Sequence, residues 1–187
     1  MKKKDTLKIA LTGILIALIV IMTFVPFLGY ISIGQSISIT IIHIPVIIGI
    51  ILIDDWRYAI TLGLAFGVSS MTRAIVAPVS VFDPIFANPA ISVLPRFFIG
   101  VVGYLVLQIM KRFQSRTLRT GVVAAASTLT NTILVISALL IFQFNAIGGW
   151  AIIGPLLLLN ASIEIVLAII VSIIVDKALH QYISQTE

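Results

Sequence analysis

Apolar runs long enough to cross a bilayer recur along almost the whole chain and leave no stretch over for a sizeable soluble domain. They run from Leu7 to Val25, Thr40 to Ile53, Tyr58 to Val76, Ala90 to Met110, Gly121 to Phe142 and Pro155 to Ala178. A hydrocarbon core of roughly 30 Å needs about 20 helical residues at about 1.5 Å each. The second run is short unless it begins nearer Ile37. Of 187 residues 60% are hydrophobic and 10% charged, whereas soluble domains carry roughly a quarter charged residues. The pattern predicts an all-α membrane protein: one integral membrane domain over residues 1–187, folded as a six-transmembrane-helix bundle. "MKKKDTLK" ahead of the first run resembles the start of a signal peptide, but the run's length and the lack of a small-residue cleavage site predict a retained helix.

Basic residues orient the bundle. With the N-terminus cytoplasmic, six spans return the C-terminus to the cytoplasm. Lys2, Lys3, Lys4, Lys8, Arg57, Lys111, Arg112, Arg116, Arg119 and Lys177 then fall on the inner side, and only Arg73 and Arg96 lie toward the outer side. That is a strong positive-inside bias. Trp56 and Trp150 fall at opposite predicted interfaces, where indoles are enriched. Between the first two runs, "YISIGQSISIT" alternates apolar and polar residues around Gly34. Period two fits a short hairpin over the extracellular mouth, and an irregular extracellular loop is the other reading.

Arginine within "ISVLPRFFIG" is the next constraint. A charge at the centre of a membrane helix costs on the order of 3 kcal/mol on insertion scales, so it needs a partner or a function. Arg96 lies about two turns into the fourth span and Glu164 a comparable depth into the sixth, with Asn131, Asn160 and Thr128 also inside spans. Two accounts are open: an internal Arg96 to Glu164 ion pair with asparagines bonding between helices, or a ligand pocket in the outer half in which Arg96 meets an anionic group. Snorkelling of Arg96 to the surface is a third. Gln35, Arg73, Asp83 and Asn88 fall in segments that could form a lid or mouth, although Arg73 and Asp83 read more readily as solvated loop residues. Pro78, Pro84, Pro89 and Pro95 predict a stiff, partly non-helical wall there. Gly63 and Gly67, four residues apart, permit close helix contact. Ala10, Gly13 and Ala17 form a small-residue stripe on the first helix, fit for internal packing or for docking another membrane protein.

Catalytic apparatus is missing from the sequence. There is no phosphate-binding G-x-x-x-x-G-K-[ST] loop, dinucleotide fingerprint, nucleophile elbow or H-E-x-x-H motif, and Glu164 is the lone acid deep in a predicted span. Without cysteine, and with only His43 and His180, no metal cluster or cofactor is expected. The net charge of +5 is topological, and no nucleic-acid partner is expected. A small membrane enzyme, a structural subunit and a secondary transporter remain as rival classes. The lack of repeats and of midplane broken helices favours a binding subunit energised by others.

"IIHIPVIIGIIL", "LGLAFGVSS" and "FANPAISVLPRFFIGVVGYL" together resemble the substrate-binding S-components of energy-coupling factor (ECF) transporters, over essentially the whole chain. The resemblance implies a vitamin captured at the outer face of a prokaryotic cell membrane. It also implies association with a transmembrane coupling protein and two cytoplasmic ATPases. Docking in that family commonly uses Ala-x-x-x-Ala on the first helix; here Gly13-x-x-x-Ala17, with Ala10 a turn earlier, stands in its place. "HIPVIIG" with "NPAISVLPRFFIG" is most similar to the pantothenate-type members, and a carboxylate ligand suits a buried arginine. For the alternatives, hydroxymethylpyrimidine or pyridoxine, Glu164 would matter more.

Overall fold

The computed structural model describes residues 3–33, 37–78, 83–142 and 150–186. Seven helices and one hairpin are present among them: α1 Lys3–Phe24, α2 Pro26–Gly29, β1 Tyr30–Ile33, β2 Ile37–Thr40, α3 His43–Ile53, α4 Trp56–Val76, α5 Pro89–Met110, α6 Arg116–Phe142 and α7 Trp150–Thr186, with a 3-10 turn over Asp83–Ala87 before α5. By length and composition α1, α4, α5 and α6 can each cross a membrane, and α3 is a shorter apolar helix. The 37 residues of α7 measure roughly 55 Å, well beyond a hydrocarbon core of about 30 Å.

Of the two readings of the alternating segment the hairpin is the one formed, with Tyr30 opposite Thr40 and Ile33 opposite Ile37 in antiparallel register. Gln35, the lid residue proposed within it, lies outside the described residues. Sequence expectation and structure differ most at helix ends. Helix α6 starts at Arg116 rather than near Gly121 because the Ser115 hydroxyl accepts from the Leu118 N–H at 3.3 Å and caps the first turn. Between α3 and α4, "DD" makes the turn: Asp54 takes the left-handed conformation, φ 51°, which short polar side chains tolerate better than most. Asp55 then caps α4 by accepting from the Arg57 N–H.

Helix α3 is the hub. It contacts α1, α4, α5, α6 and α7, and a helix apolar all round is one surrounded by protein or lipid. Ile42, Val46, Ile47, Ile50, Leu62, Phe66, Ile99 and Val123 form the core around it. Lipid tails are as apolar as leucine, so close packing and not water exclusion must join such helices. Gly63 shows how: a Cβ there would collide with the backbone carbonyl oxygen of Arg96, and one at Gly67 would stand 2.8 Å from Val93 Cα. The predicted close contact of this glycine pair is thus made with α5, and it seats Arg96 against α4.

Polar and charged groups collect at two ends. One, the hairpin end, holds β2, the 3-10 turn and the start of α5. The other, the terminal end, holds the starts of α1 and α6, the α3–α4 turn and the last turns of α5. Lys8 pairs there with Asp55 at 3.1 Å, Lys111 with Asp54 at 2.6 Å and Arg116 with Asp176 at 2.6 Å.

Candidate functional site

Pro95 explains where the Arg96 side chain goes. Proline lacks the N–H that would bond the carbonyl four residues earlier, here that of Ile91. The Arg96 guanidinium replaces it, Nη1 donating to the Ile91 oxygen at 2.7 Å. Helix α5 therefore continues through Pro95, where the sequence predicts a partly non-helical wall. One donor of five is engaged in this bond, and it fixes the direction of the planar fork.

Aromatic rings fix the rest. The Arg96 Cζ lies 5.3 Å from the centre of the Phe66 ring on α4 and 5.6 Å from that of Phe86 in the 3-10 turn, within reach of cation–π attraction. Arg96 is buried at 7% exposure, so the snorkelling account fails. Its charge acts on two groups facing it, His43 at the start of α3 and Glu164 on α7. Glu164, equally buried, accepts from the backbone N–H of Thr40 at 2.7 Å and so fastens the hairpin to α7.

The 3-10 turn is clamped over this cluster. Arg73 Nη2 donates to Asp83 Oδ1 at 2.7 Å, with both side chains buried, and the Ser92 hydroxyl donates to the Phe86 carbonyl. The solvated-loop reading of Arg73 and Asp83 is therefore corrected: Arg73 belongs to the last turn of α4, and pairing is what lets both leave water. Asn88 Oδ1 accepts from the Ala90 N–H at 2.9 Å, capping α5 beneath the same turn.

Several buried polar atoms around Arg96 and along the neighbouring helices have no hydrogen-bond partner among the described residues: both ring nitrogens of His43, Asn131 Oδ1 and Asn160 Oδ1. Leaving such an atom unsatisfied costs about 1–3 kcal/mol, and folded proteins leave few. Asn160 is one turn before Glu164 on α7, and Asn131 is on the inward face of α6. Thr128, also predicted for the site, is fully buried but directs its hydroxyl to the Ala124 carbonyl of its own helix, 2.9 Å away.

His43, Thr40, Phe66 and Phe86 are the residues that sequence reasoning missed. For His43 the signal was present: a lone polar side chain in "IIHIPVIIGIIL" is the same anomaly as Arg96 in its own run. Ala10, Gly13 and Ala17 lie together on an exposed face of α1, with nothing within 4 Å of a Cβ built at Gly13. Exposed Leu7, Ile14, Leu18 and Ile21 accompany them.

Comparison with known proteins bears on this arrangement. The family model described as ECF transporter, substrate-specific component, matches residues 7–175. The pantothenic acid transporter PanT of Lactococcus lactis subsp. cremoris (strain MG1363) is 29% identical over 197 aligned positions, covering 96% of each chain. The pantothenate transporter PanT of Leuconostoc mesenteroides subsp. mesenteroides is 28% identical over 187 positions, covering 91% of this chain and 90% of the other.

Proposed function

This chain belongs to the family of substrate-specific components of ECF transporters, and from that premise we propose that it captures pantothenate, with Arg96 as the receptor for the ligand carboxylate. It is a transport subunit and not an enzyme, a multi-pass protein of a prokaryotic cell membrane that takes up a vitamin. Pantothenate is the substrate named for both relatives above.

One observation carries the assignment: a cation buried at 7% exposure and held between Phe66 and Phe86, with one N–H already committed to Ile91. That is preorganisation. Paired N–H donors of a fixed guanidinium fit a carboxylate in a charge-assisted, bidentate mode. Asn131 and Asn160 offer acceptor oxygens for the hydroxyl and amide donors of pantothenate. His43 adds a ring nitrogen on the α3 side. Glu164, tied to Thr40, repels a carboxylate from its own side and orients the anion toward Arg96.

A six-span topology with both termini cytoplasmic follows if α3 and α7 cross together with the four long apolar helices. The hairpin and the 3-10 turn then cover the outer mouth, and the exposed Ala10, Gly13 and Ala17 face is the docking surface for the coupling protein. That protein and two cytoplasmic ATPases would supply the energy.

Calorimetric titration of the detergent-purified chain with pantothenate, against pyridoxine and hydroxymethylpyrimidine under the same conditions, tests the substrate. Saturable binding of pantothenate alone is the expected result. Binding of a neutral or basic comparator instead would reject the carboxylate role of Arg96 and shift the recognition to Glu164.

A further inference from the structure

Between α6 and α7, at the terminal end and away from the Arg96 cluster, runs an open apolar groove of about 520 Å³. Gly121 and Ala125 form its floor on α6, Leu118 flanks them, and Ile169 and Ile173 form the α7 wall. Ser115 and Thr117 place hydroxyls at one end of it. The groove is absorbed by none of the transport machinery described above.

Charge at that end is unbalanced. Asp54, Asp55 and Asp176 are each paired, with Lys111, Lys8 and Arg116 respectively. Arg112 and Lys177 are exposed and form no ion pair among the described residues. Arg112 lies in the turn that leads to Ser115, and Lys177 follows Ile173 by one turn on α7. An apolar slot thus ends in two unneutralised cations and two hydroxyls, an amphipathic arrangement with the order of a phospholipid: acyl chain, then phosphate.

We propose that this groove holds an acyl chain of an anionic phospholipid, whose phosphate is bound by Arg112 and Lys177. In the bilayer reading the slot opens sideways into the hydrocarbon while the cations stand at the interface, where basic side chains attract anionic headgroups. A zwitterionic lipid offers the same chain, but its own cation opposes Arg112 and Lys177.

Native mass spectrometry of the full chain in detergent, mixed with equal amounts of phosphatidylglycerol and phosphatidylcholine bearing identical chains, tests the site. Phosphatidylglycerol adducts should exceed phosphatidylcholine adducts on the order of tenfold. The double variant Arg112→Gln, Lys177→Gln should bring the ratio to about one, and both residues are exposed, so folding is not at stake. Gly121→Leu should lower adducts of both lipids, because a Cβ there meets only Ile173 and Ile169 at ordinary distances of 3.6 and 3.7 Å and the added side chain then occupies the groove. Equal retention of the two lipids by the wild type overturns the proposal, as does a preference that survives the double variant. A dimer of the chain that Gly121→Leu dissociates would give the groove to a second copy, and also overturns it.

Discussion

At the terminal end Asp176 is fully engaged: Oδ2 accepts from Arg116 Nε at 2.9 Å and from the Thr120 hydroxyl at 2.9 Å, while Oδ1 accepts from Arg116 Nη2 at 2.6 Å. At the hairpin end His43 is more deeply buried, yet neither of its ring nitrogens makes a hydrogen bond of normal length among the described residues, although the Thr40 backbone lies beside the ring. Both sites sit among membrane helices of one small chain, where polar groups are expensive. The first resolves that expense internally and so holds α6 to α7. The second leaves polar atoms of His43, Asn131 and Asn160 without hydrogen-bond partners among the described residues, which is what the proposed ligand site requires and a structural ion pair does not.

The sharpest way to break this contrast is to exchange the two charges for neutral isosteres. Arg96→Gln should weaken pantothenate binding by about a hundredfold or more, as loss of a charge-assisted bidentate contact requires, and should also lower unliganded stability by about 1–3 kcal/mol, because the buried Ile91 carbonyl loses its donor. Calorimetry and melting in the same detergent read the two quantities. Asp176→Asn should also lower unliganded stability by about 1–3 kcal/mol, since one partner of a buried pair is removed but Arg116 is partly exposed and screened, but with pantothenate affinity retained. If both variants lost affinity alike, the two ends would not be separable and the assignment of function to Arg96 would fall.

Much of this contrast could be read from residue order alone. Apolar runs placed the long helices, period two made the hairpin one of two readings, and insertion cost singled out Arg96 and Glu164. What could not be read depends on neighbours far apart in the chain. Phe66 and Phe86 look like ordinary apolar residues until packing brings both rings over one guanidinium. Arg73 and Asp83 were expected in water because each is charged, but packing brings the two side chains together so that each neutralises the other. Pro95 lies inside a predicted span, and the side chain that repairs its lost bond is the next residue, which only its rotamer reveals. Asp176 was not singled out, because a lone acid near a predicted span end carries no signal of its own; Arg116 and Thr120 draw it inward.

A smaller effect with opposite signs on two readouts sharpens the comparison further. His43→Leu and Asn160→Leu should each lower pantothenate affinity about tenfold and leave unliganded stability equal or higher, because replacing an unsatisfied buried polar group by an apolar one of similar volume removes a desolvation penalty. Melting temperature with and without pantothenate separates the two effects. A loss of unliganded stability on substitution would show that the group is bonded internally, and would move the hairpin end into the same class as Asp176.

The smallest effect concerns the terminal end alone and is a matter of pH. Partial burial raises the Asp55 carboxyl, but the Lys8 hydrogen bond, the Arg57 backbone N–H and the charges of Lys8 and Arg57 together outweigh it and hold the group below the usual carboxylate range. A depressed acid stabilises the fold when ionised, so this contribution is fully present above the ordinary carboxylate pKa of about 4 and is lost as pH falls through the lowered value. Asp55→Asn isolates the charge, since asparagine caps a helix about as well as aspartate and can still accept from the Arg57 N–H. Wild type and variant should therefore differ by less than about 1 kcal/mol near neutrality, as partly exposed pairs do, and converge as pH falls through the lowered carboxyl value. Melting curves of both proteins in one detergent from pH 7 to pH 2 measure the convergence, and a gap that persists in acid would mean that Asp55 holds the α3–α4 turn by geometry and not by charge.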